Sequence, residues 1–259
     1  LYTIDPTSID PGVSNQLPGA SGQFNSLSGE TFDRRFIMGT DSLGRDIWSR
    51  VAYGARVSLA VGAAVAVVAL LFGVLTGVTA GYFRRVDGLI MRFMDGMMAI
   101  PGILFAIMLV AVWGAGLVTV IAAIAVPEIP RVARLVRSVV LTVRQEAYVE
   151  AAQALDSPPW KILFRHILPN AIAPLIVQGT YVCASAILVE AILSFLGVGI
   201  PAEIPTWGNV MAEARVQFNQ FPHGVLIPGF FVALTVFAVN LVGDGLRDTL
   251  DPKFNRRRD

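Results

Sequence analysis

Charge is scarce in these 259 residues: Asp, Glu, Lys and Arg make up 15% of the chain, against 54% apolar residues and a mean hydropathy of +0.63. Soluble domains carry roughly 25% charge, and a domain of this size needs polar residues over its whole exposed surface. The deficit excludes an ordinary soluble domain and makes lipid part of the solvent, so the chain reads as an integral membrane protein. Cysteine occurs once, as Cys183, and histidine twice, as His166 and His223. Neither an intramolecular disulfide nor a His/Cys set of metal-ligand spacing can be assembled from them, so no metal site is expected. Twenty Lys and Arg against nineteen Asp and Glu leave a formal charge of +1, which offers no basic stripe for a nucleic-acid partner. Also lacking are a Walker-type glycine loop, a histidine inside any apolar run, and a Ser/His/Asp or paired-carboxylate arrangement. No enzyme and no cofactor are expected of this chain.

What the sequence does have is long apolar runs. A span needs about 20 such residues, and four long stretches are free of Asp, Glu, Lys and Arg apart from Glu190 in one of them. Val57 to Phe83 is one. Gly96 to Pro127, at 32 residues, is too long for a single helix. Trp113-Gly114-Ala115-Gly116 divides it, because a glycine pair disfavours helix and suits a turn. Helices are therefore expected from about Asp95 to Val112 and from about Leu117 to Arg137. Ile172 to Gly197 and Val225 to Gly243 complete five spans. Of the 20 basic residues, 14 fall on one side of these spans, between Arg84 and Arg92, Arg131 and Arg165, and Arg247 and Arg258. By the positive-inside rule that side is cytoplasmic, with residues 251–259 a basic cytoplasmic tail. Residues 1–56 then lie outside. They are polar and rich in Pro and Gly, with no signal peptide, and the sequence opens on Leu1 rather than Met. A further N-terminal span is expected before Leu1, with a cleaved signal peptide as the other route.

Residues 138–169 are not composed like a linker. Gln145 to Leu155 is dense in helix formers, and Asp156-Ser157-Pro158-Pro159-Trp160 reads as a turn. Ser157 is placed to cap the next helix and Pro158 to occupy its first position. That second short helix should run from Trp160 to about His166 and end before Pro169. Ala147, Ala151 and Ala154 keep one face shallow, while Trp160, Ile162, Leu163 and Phe164 add apolar bulk. Such a knob either inserts into a groove of another protein or folds back on its own spans.

Glu150-Ala151-Ala152, the bend four residues later, and Leu168-Pro169 resemble the EAA signature of the membrane subunits of bacterial ABC importers. Further segments extend the resemblance along nearly the whole chain: Met38-Gly39-Thr40-Asp41-Ser42-Leu43-Gly44-Arg45-Asp46, Tyr53-Gly54-Ala55-Arg56, Gly81-Tyr82-Phe83, Leu193-Ser194-Phe195-Leu196-Gly197 and Gly243-Asp244-Gly245-Leu246-Arg247-Asp248. Together they are similar to the C-type permease of dipeptide, oligopeptide and nickel importers. The resemblance implies an all-α polytopic protein of the type I ABC importer permease fold, with six spans in the bacterial inner membrane. It implies a homologous second permease, two cytoplasmic ATPases that bind ATP and Mg, and an external substrate-binding protein as partners. Solute then crosses by alternating access, with di- or oligopeptides the expected solute and nickel or another small solute the alternative. Glu150, Ala151, Ala152, Ala154, Leu155, Asp156, Ser157, Trp160 and Phe164 would form the ATPase coupling surface. The family usually carries Gly where this chain has Asp156, one of the few residues that tolerate a left-handed bend.

Three other readings rest on the residues alone. Glu190 is an acid inside an apolar run. It lies 18 residues past Ile172, about 27 Å at 1.5 Å per residue, which places it near the outer surface. An outer gate or interhelical hydrogen bond is expected there, ahead of a substrate contact or a proton relay. Asp46 and Arg50 stand at i,i+4 and can pair, on an interfacial helix anchored by Trp48; with Trp207 they could instead dock the binding protein. Met91, Met94, Met97 and Met98 read as packing residues. A self-sufficient secondary transporter is disfavoured, because the span interiors hold few ionisable groups.

Overall fold

The computed structural model describes residues 3–25, 29 and 31–250; Leu1, Tyr2 and the expected basic tail 251–259 lie outside the described residues. Helical structure occupies all five stretches expected to span, with different ends and one break. α1 (Ile47–Tyr82) begins ten residues before the predicted Val57, so the expected border at 56/57 falls inside it. Asp46 sets its start, accepting the Ser49 N–H at 3.1 Å. α2 (Arg84–Met98) is amphipathic, and α3 (Gly102–Trp113) follows at an 84° bend. The single helix expected from Asp95 to Val112 is thus broken at Pro101, which the apolar count passes over because proline carries no charge. α4 (Leu117–Val143) starts where the glycine pair predicts and runs six residues past Arg137.

α5 (Ala147–Ala154) and α6 (Pro159–Ile162) form the knob, and a π-helical turn, Leu163–Ile167, leads straight into α7 (Leu168–Phe195). The knob's second helix therefore does not stop before Pro169. That proline sits in the first turn of α7, where no N–H is needed, and the π turn absorbs the mismatch. α8 (Trp207–Ala214) and α9 (His223–Leu250) complete the chain. Among the described residues three helices are long and apolar enough to cross a membrane, Ile47–Tyr82, Pro159–Phe195 and His223–Thr249, and the bent α2/α3 pair, counted as one span, makes a fourth. α4 falls outside that count because Glu128, Arg131, Arg134 and Arg137 interrupt its second half. α3, at 12 residues, spans only about 18 Å at 1.5 Å per residue.

α1 packs along α4 through a glycine seam. Gly73, Gly77 and Gly81 recur every four residues and so line one face of α1. A Cβ added at Gly77 would lie 2.5 Å from the Ala133 carbonyl oxygen and 2.7 Å from Val136 Cβ, and one at Gly81 would lie 2.7 Å from Val140 Cβ. Backbones approach this closely only where side chains are absent. Val132, Val136, Val140 and Val143 continue this contact into the main core with Val61, Val65 and Val182.

The N-terminal segment is folded, which its Pro/Gly composition did not suggest. β1 (Ser21–Asn25) and β2 (Thr31–Arg35) pair antiparallel with Phe24 opposite Phe32. Phe24, Phe36 and Val13 close a small core of their own. The all-α expectation is correct apart from this hairpin.

Candidate functional site

The knob is rooted on the bundle and bare at its tip. Val149, Ile162 and Ile167 are fully buried in the core that holds Val140 and Val143. Arg144, at the foot of α5, donates from Nη1 to the carbonyls of Gly81 (3.1 Å) and Tyr82 (2.8 Å), which are left open at the end of α1. Its guanidinium also lies 5.1 Å from the Tyr82 ring centroid. Tyr148 lies against His166, ring centroids 5.8 Å apart. Opposite these anchors, Leu155 is 82% exposed, Phe164 70% and Trp160 64%. Glu150, Ala151, Ala154 and Asp156 are also exposed, with Ala152 and Ser157 partly so. The two sequence readings thus each describe one face: the inner face folds back and the outer face has no cover among the described residues.

The bend between α5 and α6 is a Schellman cap. Asp156 has φ 55°, its N–H donates to Gln153 O at 3.0 Å, and the Ser157 N–H donates to Ala152 O at 3.1 Å. Asp156 therefore takes the left-handed position usually given to glycine. Ser157 does not cap α6: Pro158 is the N-cap residue, Pro159 the first helical one, and no side chain bonds there. Ser157 thus stands one residue outside the capping position, and the Lys161 N–H donates to the Pro158 carbonyl at 2.9 Å instead.

Two ion pairs join α2 to α4 beside the knob. Arg137 forms a two-pronged bond to Asp87, both contacts at 2.6 Å, and Arg134 reaches Asp95 at 2.5 Å. Neither pair was foreseen, because the partners lie 50 and 39 residues apart.

At the opposite end of the bundle, Asp46, Arg50 and Trp207 are buried and face this chain. The expected i,i+4 pair does not form. Asp46 accepts from Arg34 Nη2 at 2.9 Å and from Ser49 Oγ at 2.5 Å. Arg50 donates to Asp41 at 2.9 Å and also pairs with Glu213 of α8, as does Arg45. Trp207 donates its indole N–H to the Val51 carbonyl at 3.1 Å. These residues clamp the N-terminal segment, α1 and α8 together, so they are not a free docking surface. Trp48 is half-buried. Asp41 and Glu213 were missed: their role depends on contacts across the fold, Arg45 and Glu213 being 168 residues apart.

Glu190 is fully buried and bridges helices, accepting from Ser58 Oγ of α1 at 3.0 Å and from Ser194 Oγ at 2.8 Å. This is the interhelical bond expected for it. Of the four methionines, Met94 is buried and Met98 exposed. Among the described residues no group of three or more His, Cys, Asp or Glu could hold a metal ion.

Residues 69–256 match the family described as binding-protein-dependent transport system inner membrane component. The chain belongs to this family. It is thus an inner membrane component of an ABC transport system, and the glycine seam, knob and Glu190 bridge all fall within the matched segment except for Ser58. A probable peptide ABC transporter permease protein of Sinorhizobium fredii is 51% identical over 258 residues, 100% of this chain and 84% of that protein. The dipeptide transport system permease protein of Alkalihalophilus pseudofirmus is 46% identical over 230 residues, 88% of this chain and 75% of its own. In fold, the chain is similar to one from the inward-facing MetNI methionine ABC transporter, with a TM-score of 0.61 over 78% of this chain and 96% of that one at 16% identity. Type I importer permease is therefore the fold of this family member.

Proposed function

We propose that this chain is one of two permease subunits of an ATP-driven peptide importer of the bacterial inner membrane, contributing half of the translocation pathway. A homologous permease, two cytoplasmic ATPases and an external binding protein complete the assembly. The chain itself is non-catalytic and binds no cofactor, while ATP and Mg are held by the ATPases. The α5–α6 knob and the C-terminus lie in the cytoplasm, and the hairpin segment outside. Peptide as solute is supported by the names of relatives over 40% identical, of whose length this chain covers 72–84%.

One observation carries the coupling role: an apolar tip of Leu155, Trp160 and Phe164 stands exposed on a knob whose other face is locked into the core. A patch of this kind on the water side of a membrane protein is a docking surface. Energy enters because ATP-bound partners favour one of two arrangements of the spans. The test is co-purification of the assembled importer with its ATPases, comparing the native knob with Glu150→Lys and Ala152→Trp. Loss of both ATPase association and peptide uptake is expected. Retention of both overturns the assignment.

A further inference from the structure

Beside the knob, the end of α1 opens into a cavity of about 620 Å³ that the coupling role does not use. Arg84, Arg85 and Arg144 line it together with Thr79, Tyr82 and Phe83, and no carboxylate does. The nearest acid in sequence, Asp87, is taken by Arg137. Arg84 and Arg85 are exposed and make no hydrogen bond or ion pair with any described residue. Arg144 uses only Nη1 on the α1 carbonyls. α2 also begins here, at Arg84, with no side chain capping it, so its positive end adds to the same field. Three cations with no counter-ion among the described residues mark a place for an anion.

The second observation lies along α1. Leu71, Leu75, Thr79 and Phe83 are exposed at four-residue spacing and form an apolar stripe that leads from the cavity into the membrane-spanning part of the helix. Inorganic phosphate would satisfy the arginines but leave Phe83, Tyr82 and the stripe wet. A lipid satisfies both. A zwitterionic headgroup would set its ammonium among three guanidinium groups, so the lipid must be anionic. We propose that this cavity binds the headgroup phosphate of an anionic phospholipid, with an acyl chain along Leu71, Leu75 and Phe83. The proposal rests on the membrane location that the family establishes and is independent of the knob's role.

The experiment uses the assembled importer purified in detergent, with retained lipid read by native mass spectrometry and stabilisation read by thermal titration. Phosphatidylglycerol, phosphatidylcholine and inorganic phosphate are the probes. Arg144 also closes α1, so the informative variant is Arg84→Gln with Arg85→Gln, which removes no internal bond. At about five-fold per arginine, phosphatidylglycerol affinity should fall roughly thirty-fold, while Arg247→Gln, outside the cavity, leaves it unchanged. Four results overturn the proposal: undiminished retention in the double variant, equal retention of phosphatidylcholine, equal stabilisation by inorganic phosphate, or lipid absent from the assembled complex.

Discussion

Replacing Trp160 by alanine separates the docking role of the knob from its folding. Its ring is 64% exposed, and a tryptophan offers 150–250 Å² for burial. About 100–160 Å² is therefore available to a partner. At roughly 25 cal/mol per Å² this area is worth about 2.5–4 kcal/mol. Ordering and imperfect desolvation reduce that to about 2 kcal/mol, the threshold of an interface hot spot. Trp160→Ala should then weaken ATPase binding about thirty-fold and leave thermal stability of the chain within about 0.5 kcal/mol, as for exposed substitutions generally. Ile162, two residues on, is 1% exposed and gives the opposite pattern: Ile162→Ala should destabilise the chain by about 2–5 kcal/mol through the cavity left behind. Binding is measured on permease pairs in nanodiscs titrated with ATPase, and stability by intrinsic-fluorescence melting. A Trp160→Ala protein that binds ATPase within two-fold of the native one, or that melts as early as Ile162→Ala, refutes the docking assignment.

At the seam, Gly77→Leu drives a side chain into Ala133 and Val136 and should destabilise the α1–α4 pair by about 1–3 kcal/mol, seen as a lower melting temperature and reduced recovery of folded protein. In the outer clamp, Asp41→Asn leaves Arg50 short of its buried partner and should cost about 3 kcal/mol. Glu213→Gln, at a more exposed site, should cost about half as much, both read by thermal unfolding. At the knob bend, Asp156→Gly should stabilise by about 0.5 kcal/mol, and Asp156→Val should destabilise by more than 1 kcal/mol, because only the second resists a φ of 55°. Glu190→Gln keeps an acceptor for one serine hydroxyl and turns an amide N–H to the other, whose oxygen can accept it, so uptake by the reconstituted importer should persist; abolished uptake with intact assembly would mean that the carboxylate handles protons or solute.

How far the fold was legible depended on the range of the interactions that set each feature. Apolar runs mark helices because burial in lipid acts residue by residue, and the Trp113–Gly116 break follows from backbone preferences, while the left-handed Asp156 was legible through the resemblance to a family that usually carries glycine there. The start of α1 was misplaced because Arg50 and Arg56 interrupt the apolar run. Yet Arg50 is tolerated inside the fold because Asp41 and Glu213, the latter 163 residues away, neutralise it. No local pattern contains that information, and the same holds for Asp87 with Arg137. The glycine seam was different: Gly73, Gly77 and Gly81 stand four apart in plain sight, a signal for close helix packing that apolar counting ignores. In the candidate site, the residues of the knob were legible but not their division into buried and exposed faces. Ile162 and Trp160 are both apolar, and only the position of α4 and α7 decides which one is covered.

A push on the knob reaches the membrane by two routes of unequal stiffness. α5 is separated from α4 by only three residues, Arg144 to Glu146, and Arg144 is bonded to the end of α1. α4 is in turn fixed to α1 by the glycine seam, where the α1 backbone meets the Ala133 backbone and the valines Val132, Val136 and Val140, whose β-branched side chains are stiff in a helix. Displacement on this route moves α1 and α4 as one body. The other route runs from α6 through the π turn at Leu163–Ile167 into α7. A π turn is wider than an α-turn and is a recurrent site of helix kinks, so it can take up a change of angle between the knob and α7. The Glu190 bridge to Ser58 then ties α7 back to α1 near the far end. With α7 held at that end, the inward-opening half of the proposed alternating access needs bending only at the π turn: α7 can tilt against the α1–α4 body, widening the knob side while the Glu190 side stays closed.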